Sequence, residues 1–188
     1  MNGFVNRLKD GLPCIGLSHR FAILGMGLKI YLSDVDLNGA LVLGVEDLVG
    51  GVAFPGERTL VGHSDADVIA HAAADALLGA AGLGDIGQHF PDTDPQWKGV
   101  DSLKLLDHVA MLVRAQGWVI GNIDCSVVCE QPKLAPRRDE MQQKLSAVAG
   151  APVSVKGRRA EGLGALGRQE GIACWAVAVI FQVENRSE

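Results

Sequence analysis

Residues 63–95, HSDADVIAHAAADALLGAAGLGDIGQHFPDTDP, decide how this chain is read. Three histidines and six aspartates stand there among Ala, Gly and Leu. Val68, Ile69, Ala72, Ala73, Ala76, Leu77 and Ala80 recur at helical spacing, which predicts a helix from about residue 65 to 81. Ser64 fits its N-cap with Asp67 as the capping-box acid, and Gly82 and Gly84 stop it. Asp67, His71 and Asp75 fall at i, i+4, i+8 and line one side of that helix. Two readings of this stripe stay open. In one, His71 ligates a metal while a carboxylate orients its second ring nitrogen. In the other, the stripe is polar surface with i,i+4 hydrogen bonds. Burying so many ionisable groups without partners costs several kcal/mol each, so a site for a metal ion or a phosphorylated ligand is expected.

Working outward, residues 40–45 and 48–54 read as short strands interrupted by glycine, and Pro55-Gly56-Glu57-Arg58 as a turn. Residues 85–95 read as loop, with His89 a solvated or hydrogen-bonded loop residue. Asp101-Ser102 caps a second helix, about 102–116, with Leu103, Leu106, Val109, Ala110 and Val113 inward and Gly117 at its end. Residues 118–129 read as a strand with Ile123, Cys125 and Val127 on one face. A third helix covers about 137–149, a strand follows at 153–156, and 157–170 reads as loop. The final strand, 171–183, is apolar on both faces, so it is central or at a subunit interface. The fold class is α/β (α+β): a single domain over residues 21–185, one mixed sheet covered by helices, with residues 1–20 an irregular extension.

The 188 residues carry a net charge of −5, which argues against non-specific nucleic-acid binding. No apolar run approaches the roughly 20 residues of a membrane span. Residues 1–20 have no signal-peptide pattern, so a cytoplasmic location is expected. Cys14, Cys125, Cys129 and Cys174 form no CxxC pair and read as small buried thiols in a reducing compartment. The segment from Lys156 to Gly171, KGRRAEGLGALGRQEG, mixes glycines with arginines, a composition suited to phosphate. Glu161 and Glu170 within it read as ion-pair partners of these arginines or as ligands to a second hard cation.

Residues 63–102 resemble the signature of the 2-C-methyl-D-erythritol 2,4-cyclodiphosphate synthase family of isoprenoid biosynthesis. So do GGV at 50–52 with the following PGER turn, GNID at 121–124, QPK at 131–133 and GRQEGIACWAVAV at 167–179. The likeness covers roughly residues 25–183. It implies a homotrimer with active sites at subunit interfaces, a zinc ion, a second divalent ion (Mg²⁺ or Mn²⁺) on the phosphates, and a cytidine pocket. By position it implies that His71 is a zinc ligand and that His63 helps to stabilise the transition state. It makes Ser64 a substrate contact and assigns Asp85, Ile86, Gly87, Phe90, Pro91, Asp92, Thr93 and Asp94 to the methylerythritol-phosphate side. Glu130, Gln131, Pro132, Lys133, Leu134 and Ala135, in the loop that starts at Cys129, match the holder of the cytosine and its diphosphate. Glu161 matches a carboxylate near the second metal, and Arg168 a phosphate-binding arginine.

The chain departs from the family pattern in three places. The family follows Gly-x-Gly with Asp-Val-His, whose Asp and His complete the zinc site. Here Gly25-Met26-Gly27 is followed by Leu28-Lys29-Ile30-Tyr31, which puts Lys29 and Tyr31 at the ligand positions. A second register offers Asp34 and Asp36, two carboxylates facing one way on a strand, and His plus two carboxylates is an acceptable Zn²⁺ or Mn²⁺ set. Both registers stay open. The family's threonine run before Glu161 is replaced by Arg158 and Arg159, with Arg159 in the place of a hydroxyl that polarises the transferred phosphate. Ala165-Leu166 replaces a Phe-Thr pair. The implied reaction turns 4-diphosphocytidyl-2-C-methyl-D-erythritol 2-phosphate into a cyclic diphosphate plus CMP. A catalytically impaired homologue that keeps the trimer and the nucleotide pocket is the alternative. A generic metal-dependent phosphohydrolase is the reading from another class.

Overall fold

The computed structural model describes residues 22–32, 48–55 and 64–182. Its elements in chain order are β1 (Ala22–Leu32), β2 (Leu48–Val49), β3 (Val52–Ala53), α1 (Val68–Ala81), α2 (Ile86–His89), α3 (Ser102–Ala115), β4 (Trp118–Val128), α4 (Arg138–Ala149), β5 (Val153–Arg158), α5 (Gly164–Gly167) and β6 (Gly171–Gln182). One mixed sheet has the order β1-β6-β4-β5. β6 runs antiparallel to both neighbours, and β4 pairs parallel with β5. The expected central place of the final strand therefore holds. Residues 1–20, the strand expected at 40–45 and most of the turn at 55–58 lie outside the described residues.

α1 is the keystone of the core. Eleven of its fourteen residues are buried, so it is covered on nearly every side. It lies on β1 and β6 and beside α3. Fully burying Ile69 or Leu77 contributes about 1.5–3 kcal/mol each. Gly82, at φ +69°, ends the helix in the left-handed conformation that glycine tolerates best.

The glycines of β1 set how close that helix can come. A Cβ at Gly25 would collide with the Ala76 carbonyl and with Ala80, and one at Gly27 with Ala72 and Ala76. Gly25, Gly27 and Lys29 alternate onto the α1 side of the strand, and Leu24, Met26 and Leu28 onto the other. That other face stays open: Leu24 is 62% exposed, Met26 71%, Leu28 49% and, across from Leu28 on β6, Trp175 40%.

Three expectations are corrected. Residues 48–54 are a tight hairpin, β2 and β3, and Gly50 and Gly51 make its turn at φ +62° and +70°. Two short helices, α2 and α5, occupy stretches read as loop, because four-residue turns leave no periodic signal. Asp67, not Ser64, caps α1, its carboxylate accepting from the amides of Ile69 and Ala70. Asp67 also accepts from Gly50 N (2.9 Å) and Gly51 N (2.6 Å), so the hairpin turn and the helix start share one buried carboxylate. Burial pushes its pKa up to about 6, against the pull of those amides.

Candidate functional site

The described residues form two clefts that share no lining residue. The first, about 410 Å³, is lined by Lys29, Ser64, His71, Ile86, Gly87, Phe90, Pro91, Asp92, Trp97 and Leu105. α1 brings His71 to its floor, nearly buried. The ring's Nε2 lies 2.7 Å from Ser102 Oγ and 3.0 Å from Ser64 Oγ. Ser102 Oγ in turn donates to Asp65 Oδ1. Burial pushes the His71 pKa down to about 4, with Lys29 adding to the fall and Asp65 and Asp75 opposing it. The imidazole is therefore neutral at pH 7, the state in which histidine binds a metal.

Sequence spacing pointed to Asp67 and Asp75 as the carboxylates that orient His71. The structure spends both elsewhere. Asp67 serves backbone amides, and Asp75 accepts from Ile86 N (2.8 Å) while pairing with Lys29 Nζ at 2.9 Å. Asp65, reached through Ser102, is the carboxylate that bears on the ring. Sequence reasoning missed Asp65 and Ser102. An Asp101-Ser102 pair before a helix reads fully as a cap, which hid the second use of the serine.

His71 has the chemistry of one metal ligand: buried, neutral, with one ring nitrogen held by hydroxyls. Lys29 does not. Its ammonium stands in the same cleft, at the strand position that the first register gives to a carboxylate ligand. Among the described residues no group of three His, Cys, Asp or Glu side chains is placed to hold a metal ion. Asp34 and Asp36, the donors of the second register, lie outside the described residues, as does His63.

The far wall of this cleft is the segment 85–94. Asp85 caps α2 through Gln88 N at 3.0 Å. Asp94 accepts from Gln96 N at 3.0 Å and caps a 3₁₀ turn at Pro95–Trp97. Thr93 is exposed beside it. Phe90 is held edge-on by Trp97, with ring centroids 4.9 Å apart, which gives the wall a rigid apolar rib. His89 bonds the Leu83 carbonyl at 2.8 Å, in keeping with its reading as a hydrogen-bonded residue.

The second cleft, about 400 Å³, is lined by the Cys129–Pro136 loop together with Arg138, Lys156, Gly157, Arg158 and Arg159. It gathers Glu130, Pro132, Lys133, Leu134, Ala135, Arg158 and Arg159 from the expected site; Gln131 lies in the same loop but does not line it. Arg159 Nε lies 2.8 Å from Glu130 Oε2, and Glu130 also accepts from Gly162 N. The guanidinium holds the Glu130 carboxyl below its usual range. Glu161 stands exposed at φ +51°, in the left-handed region, and Ala165 is exposed on α5. Arg168 pairs with Glu170 at 2.5 Å on the surface. Cys125, Cys129 and Cys174 are buried and form no disulfide among the described residues, and the neighbouring Cys125 together with burial pushes the Cys174 thiol up.

Known proteins are similar to this chain in sequence and in fold. The YgbB family model matches residues 35–181. The 2-C-methyl-D-erythritol 2,4-cyclodiphosphate synthase of Trichlorobacter lovleyi is 50% identical over 143 residues, covering 73% of this chain and 91% of that protein. The bifunctional enzyme IspD/IspF of Anaeromyxobacter dehalogenans is 52% identical over 138 residues, 72% of this chain, and the chain spans 36% of that longer protein. Among solved structures, IspF of Plasmodium falciparum in its CDP complex superposes with a TM-score of 0.71 at 29% identity, covering 89% of this chain and all of that one. With the family model spanning most of its length and relatives at about half identity, the chain belongs to the YgbB family, whose members named here are 2-C-methyl-D-erythritol 2,4-cyclodiphosphate synthases or contain one.

Proposed function

We propose that this chain is a cyclodiphosphate synthase that works as a homotrimer in the cytoplasm. Its substrate is 4-diphosphocytidyl-2-C-methyl-D-erythritol 2-phosphate. An oxygen of the 2-phosphate bonds to the β-phosphorus, the bond from that phosphorus to the α-phosphate oxygen breaks, and CMP leaves with the electron pair. The attacking phosphate is already anionic, so no general base is needed; the chemistry is positioning and charge stabilisation. Two unit charges about 4 Å apart repel by roughly 4 kcal/mol at an effective dielectric near 20, and the site must offset that.

The observation that carries this reading is the division of the expected contacts between two separate clefts. The histidine cleft receives the methylerythritol side through Ser64, Ile86, Gly87, Phe90, Pro91 and Asp92, with Asp85, Thr93 and Asp94 shaping its wall. The arginine cleft receives the cytidine diphosphate through Lys133, Arg158 and Arg159. A trimer brings one subunit's histidine cleft to its neighbour's arginine cleft. The open apolar face of β1 and β6 supports such an assembly, since apolar surface of this kind marks an interface. Arg168 and Glu161 meet the phosphates from the glycine-rich turn, and His63 takes the transition-state role that the family likeness implies. His71, with Asp34 and Asp36, would hold a divalent ion, Zn²⁺, and a second ion, Mg²⁺ or Mn²⁺, would sit on the phosphates. Bound there, the ions supply positive charge to the reacting oxygens. The impaired-homologue reading has no support from the relatives, and the phosphohydrolase reading gives way to the family membership.

Light scattering on the full chain, paired with a CMP-release assay and metal analysis, tests this. Three chains per particle, co-purifying metal and CMP release are expected. A stable monomer, or no CMP with both Zn²⁺ and Mg²⁺ added, sinks it.

A further inference from the structure

We propose that Lys29 is a phosphate-binding residue of the histidine cleft, its ammonium placed to take an oxygen of a phosphoryl group that enters there. The fold delivers it in two steps. Gly25 and Gly27 let β1 lie against α1, and Lys29 follows them on the same side of the strand. Its Nζ then meets Asp75 Oδ2 at 2.9 Å. Asp75 stands one helical turn beyond His71 on α1, so the ion pair holds the positive charge on the cleft side of that helix.

Asp75 fixes the ammonium without exhausting it. The other carboxylate oxygen, Oδ1, accepts from Ile86 N at 2.8 Å, so Asp75 is itself pinned between α1 and the start of α2. An ammonium has three hydrogens to donate, and the pair with Asp75 takes one. Among the described residues no other carboxylate pairs with Lys29. Its side chain is 27% exposed against 14% for Asp75, and it lines the cleft where Asp75 does not. The rest of the lining suits an anion. Lys29 is the one lysine or arginine in it, and its one carboxylate, Asp92, is exposed. Ser64 and the neutral His71 add polar groups without charge, and the remaining walls are apolar, which strengthens attraction to a fixed cation. An ammonium at the strand position where the family pattern has a carboxylate cannot ligate a metal; it can grip a phosphoryl oxygen directly. Which phosphoryl group enters rests on the synthase reading; the anion site does not.

The test titrates inorganic pyrophosphate into the full-length protein in EDTA and follows backbone amide signals by NMR, beside a CMP-release assay. The Ile86 amide reports on Asp75, and Gly87 lines the cleft. The Arg158 and Arg159 amides report separately on pyrophosphate in the arginine cleft. In the wild type the Ile86 and Gly87 signals are expected to shift to saturation. Lys29→Gln should weaken the binding that moves them by on the order of tenfold while leaving the Arg158 and Arg159 titration unchanged, and Lys29→Arg should keep both. Ile86 and Gly87 signals that stay still while the arginine cleft fills overturn the proposal, and the wild type alone decides this even where a variant does not fold. A Lys29→Gln protein that titrates at Ile86 and Gly87 like the wild type overturns it as well. Should the wild type show the shifts but release no CMP, the synthase reading fails and the anion site stands.

Discussion

The histidine cleft and the arginine cleft enclose nearly equal volumes, about 410 and 400 Å³, from opposite materials. Behind the His71 ring of the first stand short, buried side chains whose partners are backbone amides and hydroxyls, Asp67 and Ser102, with Ser64 and Asp65 beside them. The second is made of long, exposed cations on a loop and a strand end, steadied by one carboxylate, Glu130. Buried short groups are held in one orientation, and altering one leaves its partners unsatisfied. Exposed guanidiniums can follow a ligand, at the cost of being screened by salt. The contrast teaches that this fold fixes atomic placement at one end of the proposed site and supplies adaptable charge at the other.

Removing the carboxylate that anchors the rigid end should have the largest effect. Asp67→Ala leaves the amides of Gly50, Gly51, Ile69 and Ala70 without their acceptor. A loss of about 3–5 kcal/mol in urea unfolding is expected. A loss under about 1 kcal/mol would mean that water replaces the carboxylate, and the rigid end is not rigid.

The next effect is one of pH, and it has two opposed parts. His71 has its pKa depressed to about 4, so its stability contribution is present above pH 6.5 and is lost as pH falls toward 4. Asp67 has its pKa raised to about 6, so its contribution is greatest below pH 4 and is lost as pH rises through 6. Each is worth about 3 kcal/mol, and in the wild type they largely cancel between pH 4 and 6.5. His71→Asn should expose the Asp67 slope, with stability falling as pH rises. Asp67→Asn should expose the His71 slope, with stability falling as pH drops. Denaturation midpoints across that range check both; parallel pH profiles in the two variants would refute the opposition.

The smallest effect on stability belongs to the adaptable end. Arg159→Gln should lower the unfolding midpoint only slightly, because the guanidinium is mostly exposed and the buried Glu130 carboxylate keeps its bond from Gly162 N. It should weaken CMP binding by on the order of tenfold and flatten its salt dependence, read by calorimetry at two ionic strengths. A strongly lowered midpoint with unchanged binding would make Arg159 part of the scaffold.

The sequence was most legible where chemistry is local and periodic. The apolar row of α1, its stop at Gly82 and the buried face of β4 all read correctly from spacing. The partners of polar groups were less legible. Asp67 looked like an orienting neighbour of His71, but a turn sixteen residues upstream claims its carboxylate. Ser102 looked like a cap, but its hydroxyl joins a ring 31 residues away. Spacing reports which side of a helix a residue takes; only the packing of other elements decides what it meets there. The cations of the arginine cleft were legible as composition, since a run of Gly and Arg suits an anion, whereas its Cys129–Pro136 wall came only from the family likeness.

The paired glycines of β1 act as a registration check on the strand. Slide β1 by one residue and Met26 or Leu28 is driven into the α1 carbonyls, where even a methyl group does not fit. Only one alignment closes, and in that alignment the next residue on the same side is Lys29, delivered against Asp75 at the mouth of the histidine cleft. Two missing side chains thus work as the cut of a key, and what the key turns is the sign of the charge that faces His71.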